Sequence, residues 1–181
     1  EWEDKKEALW PRIKNAVVKL KLLFQERASA EAFKELIPLH PFAGYLLALI
    51  SRQFTSSERT LFKFLTDQRE DSLGGFIQKR PSEGTYFYTA DLLWDYFFAS
   101  PTEEIGDSIR DLVSHYLIHA DAVPTSVRPV FKAAVLILVL ARQLGDDRQS
   151  GVVAPRLSCL RDLFEGTEID VTEAFDQLCR D

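Results

Sequence analysis

An all-α fold, a helical bundle followed by a winged-helix-like three-helix unit with at most one short β-hairpin, is predicted by three observations. Apolar residues recur at i, i+3, i+4 and i+7 along most of the chain. Prolines and hydroxyl residues stand where helices would begin, at Ser29, Pro41, Thr55 to Ser57, Thr89 and Pro101. The β-prone run Thr85-Tyr86-Phe87-Tyr88 is too short to build a sheet alone. With 181 residues and 46% apolar content, the chain can bury one good core or two small helical ones.

Taken in order, residues 2–27 carry an apolar stripe of Trp10, Ile13, Val17, Leu20, Leu23 and Phe24, with Pro11 expected in the first turn of the main part. Arg12, Lys14, Lys19 and Lys21 decorate the opposite face as solvated charge. Ser29 caps a short helix that ends at Ile37 before Pro38. Pro41 opens the next, with Phe42, Tyr45, Leu46, Leu49 and Ile50 at core spacing and Phe54 at its close. A further helix follows the caps at 55–57, with Leu61, Phe62 and Leu65 as its stripe. Thr66 to Gly84 turns polar and glycine-bearing, an exposed connection with one helical candidate from Leu73 to Gln78. Thr89 caps a helix rich in aromatics, Trp94, Tyr96, Phe97 and Phe98 among them. Pro101 starts a helix reaching about His119, with Ile105, Ile109, Leu112, Val113, Tyr116 and Leu117 on one side. Val127 to Leu144 is apolar nearly all round and should be central, with Gly145 as its stop. Pro155–Phe164 and Val171–Cys179 complete the chain as short helices, the last with Asp170 or Thr172 at its cap. The expected division is a helical bundle at 1–119 and a winged-helix-like helical domain lacking its wing at 127–181.

Charge and composition narrow the function. Twenty-eight acidic against 22 basic residues give a formal charge of −6, which argues against a broad nucleic-acid surface. Cys159 and Cys179 lack any CxxC spacing and read as small reduced core residues of a cytoplasmic protein. Apolar runs such as Ala133 to Ala141 fall well short of the ~20 residues a membrane span needs. Methionine is absent even at the start, so an internal piece of a longer protein is expected.

No GxxxxGK[ST], GxSxG, HExxH or kinase signature is present, and Gly74-Gly75 lacks the Lys and hydroxyl of a phosphate loop. No catalytic residue is assigned, and no cofactor in this chain. Asp111, His115 and His119 recur every four residues, a row that an i, i+4 Asp–His pair and a helix-terminal His explain without a metal. The acidic pairs Glu103-Glu104 and Asp146-Asp147 fall at a helix start and in a loop, contexts that do not raise a carboxyl pKa. His40 lies between Pro38 and Pro41 as a tight-turn residue or as part of a rigid ligand-facing peptide. Arg59 is the most distinctive charge, because a cation in the first turn of a helix opposes the dipole unless an anion or an acidic partner such as Glu58 answers it. Arg52 and Lys63 can share its neighbourhood. Trp94 and Tyr96 are core aromatics or, alternatively, a surface for a partner or a stacked base.

Leu39-His40-Pro41, the helix after it, and Glu58-Arg59-Thr60-Leu61-Phe62-Lys63-Phe64-Leu65 resemble a segment of large bacterial P-loop ATPases of the STAND or AAA-like kind, several of them similar to anti-phage defence proteins. The likeness continues in Asp91-Leu92-Leu93-Trp94-Asp95-Tyr96-Phe97 and in Val130-Phe131-Lys132-Ala133-Ala134-Val135-Leu136, and covers most of residues 36–180. The resemblance implies a helical lid and a winged-helix region that follow a nucleotide-binding core and transmit nucleotide state to an effector or oligomer. It gives Pro41, beside His40, the place of the lid proline and Arg59 that of a sensor-like arginine, with ATP and Mg²⁺ bound by the parent protein's core. The alternatives are a free-standing all-α adaptor and a winged-helix DNA-binding module. The latter is disfavoured because Asp170, Glu173, Asp176 and Asp181 outnumber Arg180 at the last helix.

Overall fold

The structure is a computed structural model that describes residues 2–24, 29–51, 57–79, 87–98, 107–144, 154 and 156–180. Helices α1 (Trp2–Phe24), α2 (Ala30–Glu35), α3 (Pro41–Ser51), α4 (Ser57–Thr66) and α5 (Leu73–Lys79) come first. They are followed by α6 (Ala90–Phe98), α7 (Asp107–His119), a 3-10 turn at Ala120–Ala122, α8 (Arg128–Leu144), α9 (Leu157–Leu163) and α10 (Val171–Leu178). No strand occurs among the described residues. Of the β-prone run, Phe87 and Tyr88 are described, and Tyr88 forms an isolated parallel bridge with Leu39.

Two local expectations hold in atomic detail. Ser29 caps α2, its hydroxyl accepting from the Ala32 N–H at 3.2 Å. The Asp170 carboxylate accepts from Thr172 and Glu173 N–H groups at 3.0 Å and caps α10. Pro11 departs from expectation: α1 runs unbroken through it from Trp2. The structure carries the helix one turn and more before the proline, with Leu9 and Ile13 buried on either side of it.

The main core cluster runs from Ala16 in α1 to Ala174 in α10, crossing the expected boundary at 119–127, and a smaller one gathers Leu9, Ile13, Ile37 and Phe87. α6 packs most extensively on α8, and α3 touches α9, so elements from both sides of that boundary share the same interior. α8 has the central place its composition predicts, with Val130, Ala133, Leu136, Ile137, Val139 and Leu140 buried. Trp94 stacks on Phe98 at 5.2 Å and meets Tyr116 edge-on at 4.7 Å, joining α6 to α7. α8, α9 and α10 pack on one another as a three-helix unit.

α4 presents a different stripe from the one read off its sequence. Phe64 is fully buried between Tyr88, Tyr96 and Phe97, whereas Phe62 is 67% and Leu65 45% exposed. A helix of ten residues offers apolar positions on more than one face, and the aromatic pocket around Tyr88 selects Phe64. In the described part of the segment after it, residues 67–79, Ser72, Leu73 and Gly75 are buried rather than exposed. The Ser72 hydroxyl accepts from the Gly75 N–H, donates to the carbonyl of Asp67 or Arg69, and draws α5 onto the end of α4. A Cβ at Gly75 would lie 1.9 Å from the Arg69 carbonyl oxygen, so the Gly74-Gly75 pair has a packing role. Cys159 is half-buried but Cys179 is exposed, which corrects its assignment to the core. Phe54, Pro101, Ile105, Gly145 and the acidic pairs 103–104 and 146–147 lie outside the described residues.

The register of α4 is testable by paired substitutions. Phe64→Ala is expected to cost about 3–5 kcal/mol and Phe62→Ala under about 0.5 kcal/mol in urea denaturation; equal costs would refute the assignment. Gly166 has φ +80°, and a Cβ there would sit 2.3 Å from the Arg12 carbonyl oxygen of α1. Gly166→Ala should therefore destabilise by on the order of 2 kcal/mol or more, read from the same denaturation midpoint.

Candidate functional site

Of the residues singled out in the sequence, His40 and Pro41 lie on the peptide that enters α3. Tyr88 N–H donates to the Pro38 carbonyl at 2.8 Å, and His40 N–H donates to the Tyr88 carbonyl at 3.0 Å. The Ile37–Pro38 peptide bond is cis. His40 is completely buried, with its ring edge-on to Phe87 at 6.0 Å and stacked near Phe42 at 6.3 Å. Its Nδ1 accepts from the Phe42 N–H at 3.3 Å, so in the neutral ring the hydrogen sits on Nε2 and is donated to the Glu165 carbonyl at 3.0 Å. His40 is thus more than a turn residue. It fastens the start of α3 to the loop between α9 and α10, a long-range contact that spacing alone does not reveal.

That loop is also clamped from the other side. Lys19 of α1 bonds Asp162 at 2.6 Å and Glu165 at 2.8 Å, and these two carboxylates raise its pKa. Beneath Tyr88 the polar atoms are likewise used internally. The Tyr88 hydroxyl meets the carbonyls of Asp71 and Leu92, and burial pushes its pKa up. Thr89 donates to Asp91 at 2.5 Å, and burial raises the Asp91 carboxyl despite that bond. At the edge of the site Lys132 of α8 bonds Asp95 of α6 at 2.7 Å.

Pro41 is buried at the first position of α3, as a proline without an N–H can be. Arg59 lies in the first turn of α4, where the sequence places it, and α4 packs on α3; its side chain is outside the described residues, as is Arg52. Trp94 is 0% exposed and belongs to the core, so it offers no surface to a partner. Tyr96 is half-buried under the Arg69 guanidinium, 4.9 Å from its ring centre, with Arg69 held in turn by Asp71. No group of three or more His, Cys, Asp or Glu side chains among the described residues is placed to hold a metal ion. No described helix is long and apolar enough to cross a membrane.

Chemically, the site is a joint. His40, the residue best suited to proton transfer, has both ring nitrogens committed and no access to solvent. No protein-family model, no curated protein and no solved structure matches this chain. The functional argument therefore rests on the chain's own residues.

Burial lowers the His40 pKa from 6.5 to about 4, with the Glu165 carbonyl opposing in part. The unfolded chain takes up a proton on this residue below about 6.5, while the folded chain does so only below about 4. The stability given by the neutral ring is complete above about pH 6.5 and falls by up to about 3 kcal/mol as pH drops to about 4. Urea midpoints measured across that window should fall more steeply for the wild type than for His40→Gln. Asp91 contributes with the opposite sign in both proteins and cancels; parallel slopes would remove His40 from the acid response.

Proposed function

We propose that this chain is the non-catalytic helical region of a larger P-loop ATPase of the STAND or AAA-like kind, relaying nucleotide state from an adjoining core to an effector or to another copy. The observation that carries the proposal is the double attachment of residues 38–40, to Tyr88 ahead of α6 and to Glu165 beyond α9. A displacement imposed on the start of α3 passes directly to the C-terminal helices. On this reading Pro41 and His40 form the lid edge facing the nucleotide, and Arg59, at the head of α4, reports the γ-phosphate through contacts made only in the triphosphate state. ATP and Mg²⁺ belong to the core. α8, α9 and α10 are the helices of a winged-helix unit, turned toward protein rather than DNA because Asp170, Glu173 and Asp176 line the outer side of α10. The setting is cytoplasmic, and anti-phage defence is the class of role the resemblance favours.

A second reading, a free-standing adaptor, is favoured by the exposed Phe62 and Leu65 on α4. The two separate in one set of measurements on the full-length protein. Arg59→Ala should abolish nucleotide-dependent switching while far-UV circular dichroism and thermal midpoint stay unchanged. Unaltered ATP turnover and assembly in that variant would take Arg59 out of the mechanism. A partner captured equally well without any ATPase core would favour the adaptor.

A further inference from the structure

We propose that His115 and His119 form a two-imidazole chelate for a divalent d-block cation on the exposed face of α7. Both residues are exposed, they stand one helical turn apart, and their ring centres are 4.5 Å apart with planes inclined at 58°. A first-row cation binds imidazole nitrogen at about 2.0–2.1 Å, which puts each ring centre about 3.2 Å from the metal. Two such rings at right angles about the metal have centres about 4.5 Å apart, against about 5.2 Å at the tetrahedral angle. The observed separation is close to both values, so one first-row cation can reach both rings, and at nitrogen donors Ni²⁺ and Cu²⁺ bind more tightly than Zn²⁺ does at a given site by ligand preference.

The placement along α7 adds an independent contribution. His119 is the last residue of the helix, at the negative end of its dipole, which favours a bound cation. Asp111 lies one turn before His115, but the described residues supply no third donor at the same point, so the chelate has two protein ligands. The remaining coordination positions go to water or to a ligand from solution. The ion would tie the last turn of α7 together ahead of the 3-10 turn at Ala120–Ala122. This inference is independent of the ATPase proposal.

Ni²⁺ is the suitable probe, because Cu²⁺ would oxidise the exposed Cys179 thiol. Calorimetric titration of the chain with NiCl₂ is expected to show saturable binding of one ion, weaker binding of Zn²⁺, and loss of the saturable heat in both His115→Ala and His119→Ala. The two side chains are exposed, and circular dichroism verifies that each variant keeps its fold. Absence of saturable Ni²⁺ binding overturns the proposal, as does binding retained in both variants, which would place the ion elsewhere.

Discussion

Three hydrogen bonds around residues 38–40 fix the relation between the two ends of the chain. Pro38 and His40 exchange backbone bonds with Tyr88, and the His40 ring reaches the Glu165 carbonyl. All of these groups lie in or against the apolar interior, where an unpaired peptide group costs about 1–3 kcal/mol. The bonds are therefore requirements of burial. Because α3 is buried on most of its sides, through Phe42, Ala43, Leu46, Leu47, Leu49 and Ile50, its starting position decides where α1, α6 and α9 can pack. Lys19 and Gly166 belong to the same arrangement. The close approach of the α9–α10 loop to Arg12 and the ion pairs to Asp162 and Glu165 hold the Glu165 carbonyl where His40 needs it.

Much of the fold could be read from local signals, since helix starts and apolar periodicity are properties of short windows. The caps at Ser29 and Asp170 and the central place of α8 depend on a few neighbouring residues, and they came out as expected. Choices between faces did not. Phe62, Phe64 and Leu65 are all strongly apolar, and only the ring pocket made by Tyr88 ahead of α6 and by Tyr96 and Phe97 on it decides among them. The polar stretch after Thr66 misled for a related reason. Ser72 and Gly75 look like loop residues by composition, but their size and hydrogen bonding are what permit a close backbone approach.

The turn at residues 38–41 was legible in the sequence, but its long-range contacts were not. Pro38, His40 and Pro41 mark a rigid turn from sequence alone, whereas the acceptor for the His40 ring lies 125 residues away. No periodicity carries that information. Trp94 illustrates the same limit from the other side: an aromatic in a helix stripe suits either a core or a binding surface, and burial against Phe98 and Tyr116 places it in the core. Ionic contacts between α6 and α8, Asp95 with Lys132, likewise needed the fold, although each residue lies in a segment the sequence had marked.

The continuity of the core constrains how any signal could travel. A relay between two independently packed halves would hinge near 119–127, and a hinge needs few contacts across it. Here α6 packs most extensively on α8, α3 reaches α9, and Lys132 is bonded to Asp95, so bending at that point would part the Tyr116 ring of α7 from the Phe131 ring of α8, 5.2 Å away. Losing that ring contact would forfeit about 0.5–1.5 kcal/mol on top of the apolar burial between α6 and α8. On the proposed relay, movement driven at the start of α3 would be a rigid-body displacement of the packed helices. The differential contacts of such a relay would then fall at the head of α4 and along the exposed Phe62 and Leu65 face, rather than inside the bundle.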